Sequence, residues 1–285
     1  MKVYKTNGYA ALHRIPCGRM ILPDKLPVKI TVRGVNALIN VGECAVLPEN
    51  TTIEIHSSCE RTIIDFDYSR ILHNPEFAPL LPVVTLPYLC TSASPAEEKT
   101  AVSFGHIIPL FAGEKDEKRI SGSVTPIDLI KDMAVLSEGG TRFYDTAGNL
   151  LLDALFCLIG EDILKYLNIR ESEAGFKNTL EKLGNAVTFI NNNHTDDLML
   201  EEIAAVSGYT KTHLSHTFKQ FYGFPLYDYI LRIRTFTAIN IMTNGKLPMN
   251  EVVKKSGFAS TSTFNRVFKD ETGLSPRDFM KLEVI

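Results

Sequence analysis

The sequence lacks the features that mark disulfide-rich, zinc-binding and membrane-spanning proteins. Its five cysteines are odd in number, scattered and without a C-x-x-C pair, which argues against a disulfide framework or a metal cluster. The longest apolar run, 150–159, is about half of a membrane span and contains Asp153. The first residues lack the apolar segment of a secretory signal. We therefore expect an intracellular chain without a membrane segment, whose thiols are reduced and mostly buried.

Catalytic motifs are missing as well. G-x-S-x-G, the Walker loop and G-x-G-x-x-G do not occur, so hydrolase, nucleotide-hydrolysing and dinucleotide-binding functions have no support. The N-terminal half contains four histidines, His13, His56, His73 and His106. They do not form the H-x-H or H-x-x-x-H pair that a metal site on a barrel needs. His213 and His216 lie three residues apart but have no third ligand in view. We predict no enzyme activity, no metal and no cofactor.

The charge of the chain is small but uneven. The whole sequence has a net charge of −3. From residue 181 onward there are 12 basic and 11 acidic residues, a net charge of +1, so the preceding part carries −4. This slight basic excess does not by itself predict a nucleic-acid partner. Any such prediction must come from the pattern of residues.

The first 120 or so residues have the pattern of β structure. Apolar and polar residues alternate in 28–34, and further short strands are predicted at 37–41, 44–48, 52–56 and 61–66. Glycine and proline turns separate them, which is typical of a sandwich or a jelly-roll barrel. The segments 91–98 and 113–119 are predicted to be loops.

The pattern becomes helical from about residue 125. Leu129, Ile130, Met133 and Leu136 fit one helix, and 149–167 a longer one that is too apolar to be solvated on all sides. A second copy of the chain is a reasonable partner for it. The segment 169–175 is short and charged and ends in glycine, which predicts a linker between a domain at 1–170 and a domain at 176–285.

An internal repeat is the most informative feature of the sequence. Glu-Ile-Ala-Ala-Val-Ser-Gly-Tyr (202–209) matches Glu-Val-Val-Lys-Lys-Ser-Gly-Phe (251–258). Downstream, Phe218-Lys219 matches Phe268-Lys269. The offset changes from 49 to 50 because the second turn has one extra residue.

Each copy predicts a helix, a tight turn and a second helix. Gly208 and Gly257 follow the first helix, where a left-handed conformation costs least in glycine, and Thr210 and Ser260 stand where the next helix needs an N-cap. Leu214 and Phe218, like Phe264 and Phe268, are spaced to face a core. The opposite face is polar, with Lys211, Thr212, Ser215, His216 and Lys219 in the first copy and Thr261, Ser262, Asn265, Arg266 and Lys269 in the second.

Such a short helix with a polar outer face suits the major groove of DNA. Ser, Thr, Asn and Arg side chains read base edges, while Lys side chains and backbone amides contact phosphates. Between the copies, 226–242 is predicted to be one long helix that holds the two reading helices apart. A separation near one turn of DNA, about 34 Å, would let one chain cover two adjacent segments of the groove.

These motifs resemble those of the AraC/XylS-type transcription regulators, over roughly residues 180–282. The resemblance includes Leu-Glu-Glu-Ile-Ala-Ala-Val-Ser-Gly-Tyr (200–209), Phe218-Lys219 and Gly223 in the first copy. Tyr229, Arg234 and Ala238 fit the linking helix of the family. Gly257-Phe258, Phe-Asn-Arg (264–266), Phe268-Lys269 and Gly-Leu-Ser-Pro (273–276) fit its closing signature.

The resemblance implies base contacts by seven of the polar residues, namely Thr212, Ser215, His216, Thr261, Ser262, Asn265 and Arg266. The chain departs from the family at three places. His216 stands where Arg is usual, which puts that contact in doubt at neutral pH, and Thr235 stands where Leu or Ile is usual. Val252-Val253 replaces Ile-Ala, and we expect this change and Thr235 to affect packing.

The N-terminal part resembles, more loosely, the cupin-like sensor domain of many such regulators, through Asn-Val-Gly-Glu (40–43) and Val-Leu-Pro-Glu-Asn (46–50). The predicted fold is of the α+β class with two domains: an N-terminal cupin-like β-barrel with dimerisation helices between 125 and 170, and a C-terminal all-α domain with two helix-turn-helix units. The weak candidates for a ligand pocket are Arg14, Arg33, His56 and Tyr88.

The resemblance implies a homodimeric, cytoplasmic, nucleoid-associated transcription activator. Its partners would be double-stranded promoter DNA, RNA polymerase and a small-molecule effector such as a carbohydrate. Two alternatives stay open at this point. One is a cupin-type enzyme with an appended DNA-binding tail, which divalent-metal dependence would favour. The other is a regulator whose barrel binds no ligand and only dimerises.

Overall fold

The computed structural model describes residues 1–72, 74–91, 108–111, 126–138, 144–168, 173–245 and 247–284. The contacts divide the chain into two compact units. The first comprises Met1–His73, Val83–Tyr166 and Val284–Ile285, and the second comprises Asn74–Pro82 and Leu167–Glu283. The segment Asn74–Pro82 thus groups with the helical unit, whereas the predicted boundary at 170–176 assigned it to the strand-rich part.

The first unit is built on two sheets. Their strands are β1 (Lys2–Thr6), β2 (Ala10–Arg14), β3 (Gly18–Pro23), β4 (Val28–Val32), β5 (Val35–Ile39), β6 (Cys44–Leu47), β7 (Thr52–Ile55), β8 (Arg61–Phe66), β9 (Tyr88–Thr91) and β10 (Ile108–Phe111). The six-stranded sheet has the order β1-β8-β3-β6-β9-β10 and the four-stranded sheet the order β2-β7-β4-β5. All pairings are antiparallel except the parallel pair β9–β10.

The core of this unit lies between the sheets. Ile21 and Ile63, opposite each other in the six-stranded sheet, belong to the same buried cluster as Ile30 and Ile53 of the four-stranded sheet. Strand alternation explains this arrangement, because every second side chain points to the same face. Among the described strands the two sheets form an open sandwich, and the predicted closed barrel is not present.

Differences from the predicted strands have physical causes. Arg33 and Gly34 have φ of 51° and 82° and form the tight turn between β4 and β5, so the strand predicted at 28–34 ends at Val32. No strand was predicted at β1, β2, β3, β9 or β10. Of these, β3 is buried along its whole length and therefore shows no alternation. One of its neighbours, Phe66 of β8, packs its ring 5.2 Å from that of Phe156 on a covering helix.

Helices also occur in the part of the chain up to residue 168. They are α1 (Ser69–Leu72), α2 (Leu81–Val84), α3 (Pro126–Glu138) and α4 (Tyr144–Asn168). The 3₁₀ turn at Pro75–Leu80 belongs to the second unit, and the division between the units falls inside α2, after Pro82, and inside α4, after Tyr166. Both predicted helices after residue 125 are confirmed, the longer one beginning earlier than predicted. Of the predicted loops, Thr91 belongs to β9, and the remaining residues of 91–98 and 113–119 lie outside the described residues.

The second unit is helical. It contains α5 (Glu173–Asn193), α6 (Leu200–Ser207), α7 (Lys211–Tyr222), α8 (Leu226–Asn244), α9 (Met249–Lys255), α10 (Thr261–Thr272) and α11 (Pro276–Phe279). The linker prediction is wrong at its end, because Gly175 lies inside α5. Helix α8 confirms the long helix predicted between the repeats. None of the helices in the described part of the chain is long and apolar enough to cross a membrane.

The cysteines only partly follow the predicted burial. Cys44 is buried and donates its S–H to the carbonyl of Ala45 at 3.5 Å. Burial raises the pKa of the Cys17 thiol to about 11, so this group is not a reactive thiolate at neutral pH. Cys59 is half-buried and Cys157 on α4 is exposed, so among the cysteine side chains that the structure describes, only Cys44 follows the prediction of mostly buried thiols.

Candidate nucleic-acid interface

The first helical pair joins α6 to α7 through a glycine turn. Gly208 has φ of 67° and ends α6, while the N–H of Tyr209 reaches back to the carbonyl of Ala204 at 3.0 Å. The hydroxyl of Thr210 then accepts a hydrogen bond from the backbone N–H of His213 at 3.3 Å, which caps α7. The turn and the cap together fix the direction in which α7 leaves the turn, as the sequence predicts.

The second pair repeats this construction between α9 and α10. Gly257 has φ of 84°, and the N–H of Phe258 donates to the carbonyl of Val253 at 3.1 Å. The hydroxyl of Ser260 caps α10 by accepting from the N–H of Thr263 at 3.2 Å. The predicted turn glycine and N-cap are therefore confirmed in both copies.

Aromatic and aliphatic side chains anchor the inner face of each second helix. Leu214 and Phe218 on α7 are fully buried, as are Phe264 and Phe268 on α10. The Phe268 ring lies 5.4 Å from that of Phe264 and 5.3 Å from that of Phe279 on α11. Because Phe264 and Phe268 are buried and Phe268 packs against α11, the opposite face of α10 is held toward solvent.

The polar residues predicted to bind DNA lie together on these outward faces. Nine of the ten are exposed: Lys211, Thr212, His216, Lys219, Thr261, Ser262, Asn265, Arg266 and Lys269. Ser215 is half-buried because it lines a groove of about 330 Å³ between α6, α7 and α8, with Leu198 and Leu226. Each face presents hydrogen-bonding groups on a single helix, an arrangement that a DNA groove can accept.

Two of these cations already have acidic partners in the protein. The Nζ of Lys211 lies 2.5 Å from Oε1 of Glu201 on α6, and this hydrogen bond lowers the pKa of the Glu201 carboxyl. Nη1 of Arg266 lies 3.3 Å from Oδ2 of Asp270, one turn further along α10. Both pairs are well exposed, so their contribution to stability is small and a phosphate or a base can displace them.

Two basic residues beside the second turn were not predicted as site residues. Lys254 and Lys255 are exposed in the last turn of α9, where the first copy has Ala205 and Val206. The aligned repeat already contained this signal, because a pair of lysines replaces two apolar residues. Among the described residues no group of three or more His, Cys, Asp and Glu side chains could hold a metal ion.

Helix α8 is attached to both pairs. The Arg234 guanidinium donates to the carbonyls of His194 at 2.7 Å and Asp196 at 3.0 Å, in the turn between α5 and α6. Nε of the nearly buried Arg232 lies 3.3 Å from Oε2 of Glu271 on α10. Two of the departures from the family pattern are packing changes, because Val252 and Val253 are buried and the buried Thr235 donates to the carbonyl of Leu231 at 2.9 Å. The third departure, His216, is exposed.

The turn between α5 and α6 contains a partly buried histidine. The His194 ring contacts the carbonyl of Asn191 at 2.8 Å through Nδ1 and the hydroxyl of Thr237 on α8 at 2.7 Å through Nε2. Burial, supported by the charge of Arg234, lowers the pKa of His194. The neutral ring fits its two neighbours, since one nitrogen donates to the carbonyl and the other accepts from the hydroxyl.

The structure does not gather the candidate ligand residues into one site. Arg14 is opposite Thr52 and donates to Oδ1 of Asn50 at 2.8 Å, and the N–H of Arg33 bonds the carbonyl of Thr52. His56 follows the other end of β7, where Nε2 contacts the Thr31 hydroxyl at 2.6 Å. Tyr88 lies in β9 of the other sheet, opposite Val46, and its side chain lies outside the described part.

A polar cluster inside the sandwich was not predicted from the sequence. The Arg19 guanidinium donates to both oxygens of Asp65, at 2.6 and 2.9 Å, and the Tyr4 hydroxyl lies 3.3 Å from the same carboxylate. Burial raises the pKa of Tyr4 to about 12. Asp65 beside the apolar residues Ile63, Ile64 and Phe66 was the available signal, but its partner is 46 residues away in the sequence.

Comparison with known proteins places the helical pairs in a family. Residues 203–282 match a helix-turn-helix domain family. The chain is 37% identical over 90 residues to the HTH-type transcriptional activator AarP of Providencia stuartii, covering 32% of this chain and 67% of AarP. It is 31% identical over 84 residues to the probable transcription factor PqrA of Proteus vulgaris, covering 30% of this chain and 69% of PqrA.

Among solved structures, that of ToxT from Vibrio cholerae aligns over 99% of this chain and 97% of its own, with 15% identity and a TM-score of 0.49. The helix-turn-helix family model matches the region with the capped helices and the polar faces, and each of the two sequence relatives is covered over at least two thirds of its length. The chain therefore belongs to the AraC/XylS-type family of DNA-binding transcription regulators.

Proposed function

We propose that the chain is a sequence-specific transcription regulator whose two helical pairs are helix-turn-helix units that read adjacent segments of the major groove. The observation that carries the proposal is the repeated construction of α7 and α10. Each is capped at its N-terminus, anchored by buried rings or leucine, and exposes a polar face. A buried scaffold with hydrogen-bonding groups outside is what base readout requires.

The residues of α10 take distinct roles in this proposal. Asn265 and Arg266 have the side chains that recognise adenine and guanine edges, and Thr261 and Ser262 stand in the first turn, nearest the groove floor. Lys269, with a flexible charged side chain, contacts a phosphate. The unpredicted Lys254 and Lys255 add phosphate contacts beside the turn in the second copy.

The face of α7 is less basic. Thr212, Ser215 and His216 contact bases in the proposal, with Lys211 and Lys219 on phosphates. His216 is a weaker anion ligand than the arginine usual in the family, because a neutral imidazole has no charge. The half-burial of Ser215 limits its reach, so α10 supplies the larger share of the discrimination between sequences.

The strand-rich unit is the proposed sensor, corresponding to a domain at 1–170 that precedes the DNA-binding domain at 176–285. We propose a cupin-like sandwich that binds a small molecule such as a carbohydrate, and dimerisation through α3 and α4. The exposed Val135 on α3 and Leu150 on α4, with 68% and 65% of their surface accessible, support an apolar contact there. Activation through RNA polymerase, in the cytoplasm and on the nucleoid, completes the proposal.

Selection of genomic DNA with the full chain, at a stated salt concentration near physiological, tests the DNA-binding part. We expect a few sites that share two half-motifs. Asn265→Ala is expected to relax base preference in one half-motif and Thr212→Ala in the other, because each side chain belongs to a different helix. Recovery of the same sites with unchanged preferences by both variants would contradict the assignment of α7 and α10.

The sensor part is tested separately by thermal unfolding of the full chain with a panel of monosaccharides and related metabolites. A ligand that binds only the folded state raises the melting temperature in proportion to the logarithm of its concentration. A panel without any such shift would count against a carbohydrate effector, and it would leave the DNA-binding proposal untouched.

A further inference from the structure

We infer that Gly257 and the turn at His194–Asp196 form a junction that fixes the second helical pair against the first, and that this junction makes the domain bind two DNA segments at once. Gly257 is in this view a positioning residue that does not touch DNA. The inference rests on the proposed function and adds a specific element of its mechanism.

The approach of Gly257 to the turn is too close for any side chain. A Cβ atom on Gly257 would lie 2.6 Å from the carbonyl oxygen of His194 and 2.9 Å from both the Cα of Thr195 and the Nε of Arg234. Two of these three atoms belong to the backbone, so rotation of a side chain cannot relieve the contact. An added methyl group must therefore separate the turn from the second helical pair.

The turn is itself held in place and does not yield easily. Arg234 donates to two of its carbonyls, and His194 contacts Thr237, so two residues of α8 hold it. The hydroxyl of Tyr229, also on α8, donates to Oδ1 of Asn191 at 3.0 Å, just before the turn. Displacement of Gly257 is thus expected to move α9 and α10 and to leave the first pair where it is.

The equivalent glycine of the first copy has no such contact. Gly208 also has a positive φ, of 67°, but a Cβ there would meet only Cε of Lys182, at 3.9 Å. At Gly223, with φ of 86°, no described atom lies within 4 Å of the added Cβ. All three glycines provide the left-handed turn, and only Gly257 also allows close packing of one helical pair on the other.

Rigid placement matters because the two reading helices belong to one chain. Once one helix is bound, the other finds its DNA segment at a high effective concentration only if the geometry allows both contacts together. A shift of α10 by the width of a methyl group changes its register on the bases and leaves its own fold intact. We therefore expect a loss of affinity when both reading helices bind DNA together, and no loss when either helix binds alone.

The experiment compares Gly257→Ala with Gly208→Ala and Gly223→Ala in the full chain. All three carry the strain of alanine at positive φ, and only the first creates the contact with the turn. Fluorescence anisotropy measures binding to a duplex recovered by genomic selection and to two duplexes in which one half-motif is replaced by unrelated sequence. For Gly257→Ala we expect the affinity for the complete site to fall roughly tenfold or more, and the affinity for each half-site to fall at most about twofold.

The inference would be overturned if Gly257→Ala lost affinity equally for the complete site and for the half-sites. It would also be overturned if Gly208→Ala lost affinity for the complete site alone. Arg234→Met is the second variant, because it releases the turn from α8 without adding strain at Gly257, and the same selective loss is expected from it. Circular dichroism melts show whether each variant is folded at the assay temperature. A wild-type chain that does not distinguish the complete site from scrambled DNA would refute the proposed function instead.

Discussion

Replacing Asp270 by Asn removes the acidic partner of Arg266, a residue proposed to contact a base. Nη1 of Arg266 lies 3.3 Å from the Asp270 carboxylate, and the two side chains are 65% and 63% exposed. An exposed pair at this helical spacing contributes about 0.3–0.5 kcal/mol. DNA must displace the pair before Arg266 reaches a base, so Asp270→Asn is expected to raise the affinity about twofold.

The assay is an anisotropy titration of the full chain on a selected duplex at several salt concentrations. Arg266→Ala alone is expected to weaken binding by about 1–3 kcal/mol, or roughly 5- to 150-fold. In the Arg266→Ala background, Asp270→Asn should give a smaller gain, because only the repulsion between the carboxylate and the phosphates is then removed. Glu60→Gln, at an exposed position between β7 and β8, makes the same change of net charge outside the helical pairs and serves as the control.

A weaker affinity of the Asp270→Asn variant for the duplex would refute the reasoning. An equal gain in the presence and absence of Arg266 would also refute it, because the gain would then come from the charge alone. The first outcome would mean that the ion pair holds Arg266 in its binding position, and the second that the ion pair does not compete with the DNA contact of Arg266.

Three further outcomes are expected. Burial lowers the pKa of His194 below its value in the unfolded chain, so the unfolded state binds more protons in mild acid and the free energy of unfolding falls as the pH drops from 7.5 to 5.5. Calorimetry of His194→Gln should show a smaller loss of stability over this pH range, and a loss equal to that of the wild type would exclude His194 as the cause. Glu271→Gln removes the counterion of Arg232, which is 3% exposed, so urea denaturation should show that the free energy of unfolding falls by about 3 kcal/mol. A fall below about 0.5 kcal/mol would mean that the other contacts of Arg232 are sufficient to hold its charge. Lys269→Ala should weaken binding to all duplexes alike and reduce the slope of log affinity against log salt by about 1, and a sequence-dependent loss would assign it to base contact instead.

The helical pairs could be predicted in detail because their determinants are local. The spacing of Phe264 and Phe268, the glycine at 257 and the capping Ser260 all act within a dozen residues, and the repeat presents each signal twice. The close approach of Gly257 to the turn at 194–195 could not be predicted in this way. Gly208 has the same place in the repeat, and only the three-dimensional packing distinguishes the two glycines.

The strand-rich unit was predicted less completely for a physical reason. Strand β3 is covered on both faces and has no alternation to detect, and the partners Arg19 and Asp65 are far apart in the sequence. Arg33 was placed in a strand although it adopts the left-handed conformation of a two-residue turn. Long-range packing decides the first two features, and a single sequence contains no direct record of it, whereas the turn at Arg33 and Gly34 is local.

The two exposed helix faces of the repeat carry different side chains on the same scaffold. His216 on α7 and Arg266 on α10 both stand five residues beyond the first residue of their helix, yet one is an imidazole and the other a guanidinium. A duplex bound through both faces is therefore read with a polarity, because reversing it would exchange the two unlike surfaces. A single chain on such a site has an upstream end and a downstream end, which a symmetric dimer of identical readers lacks.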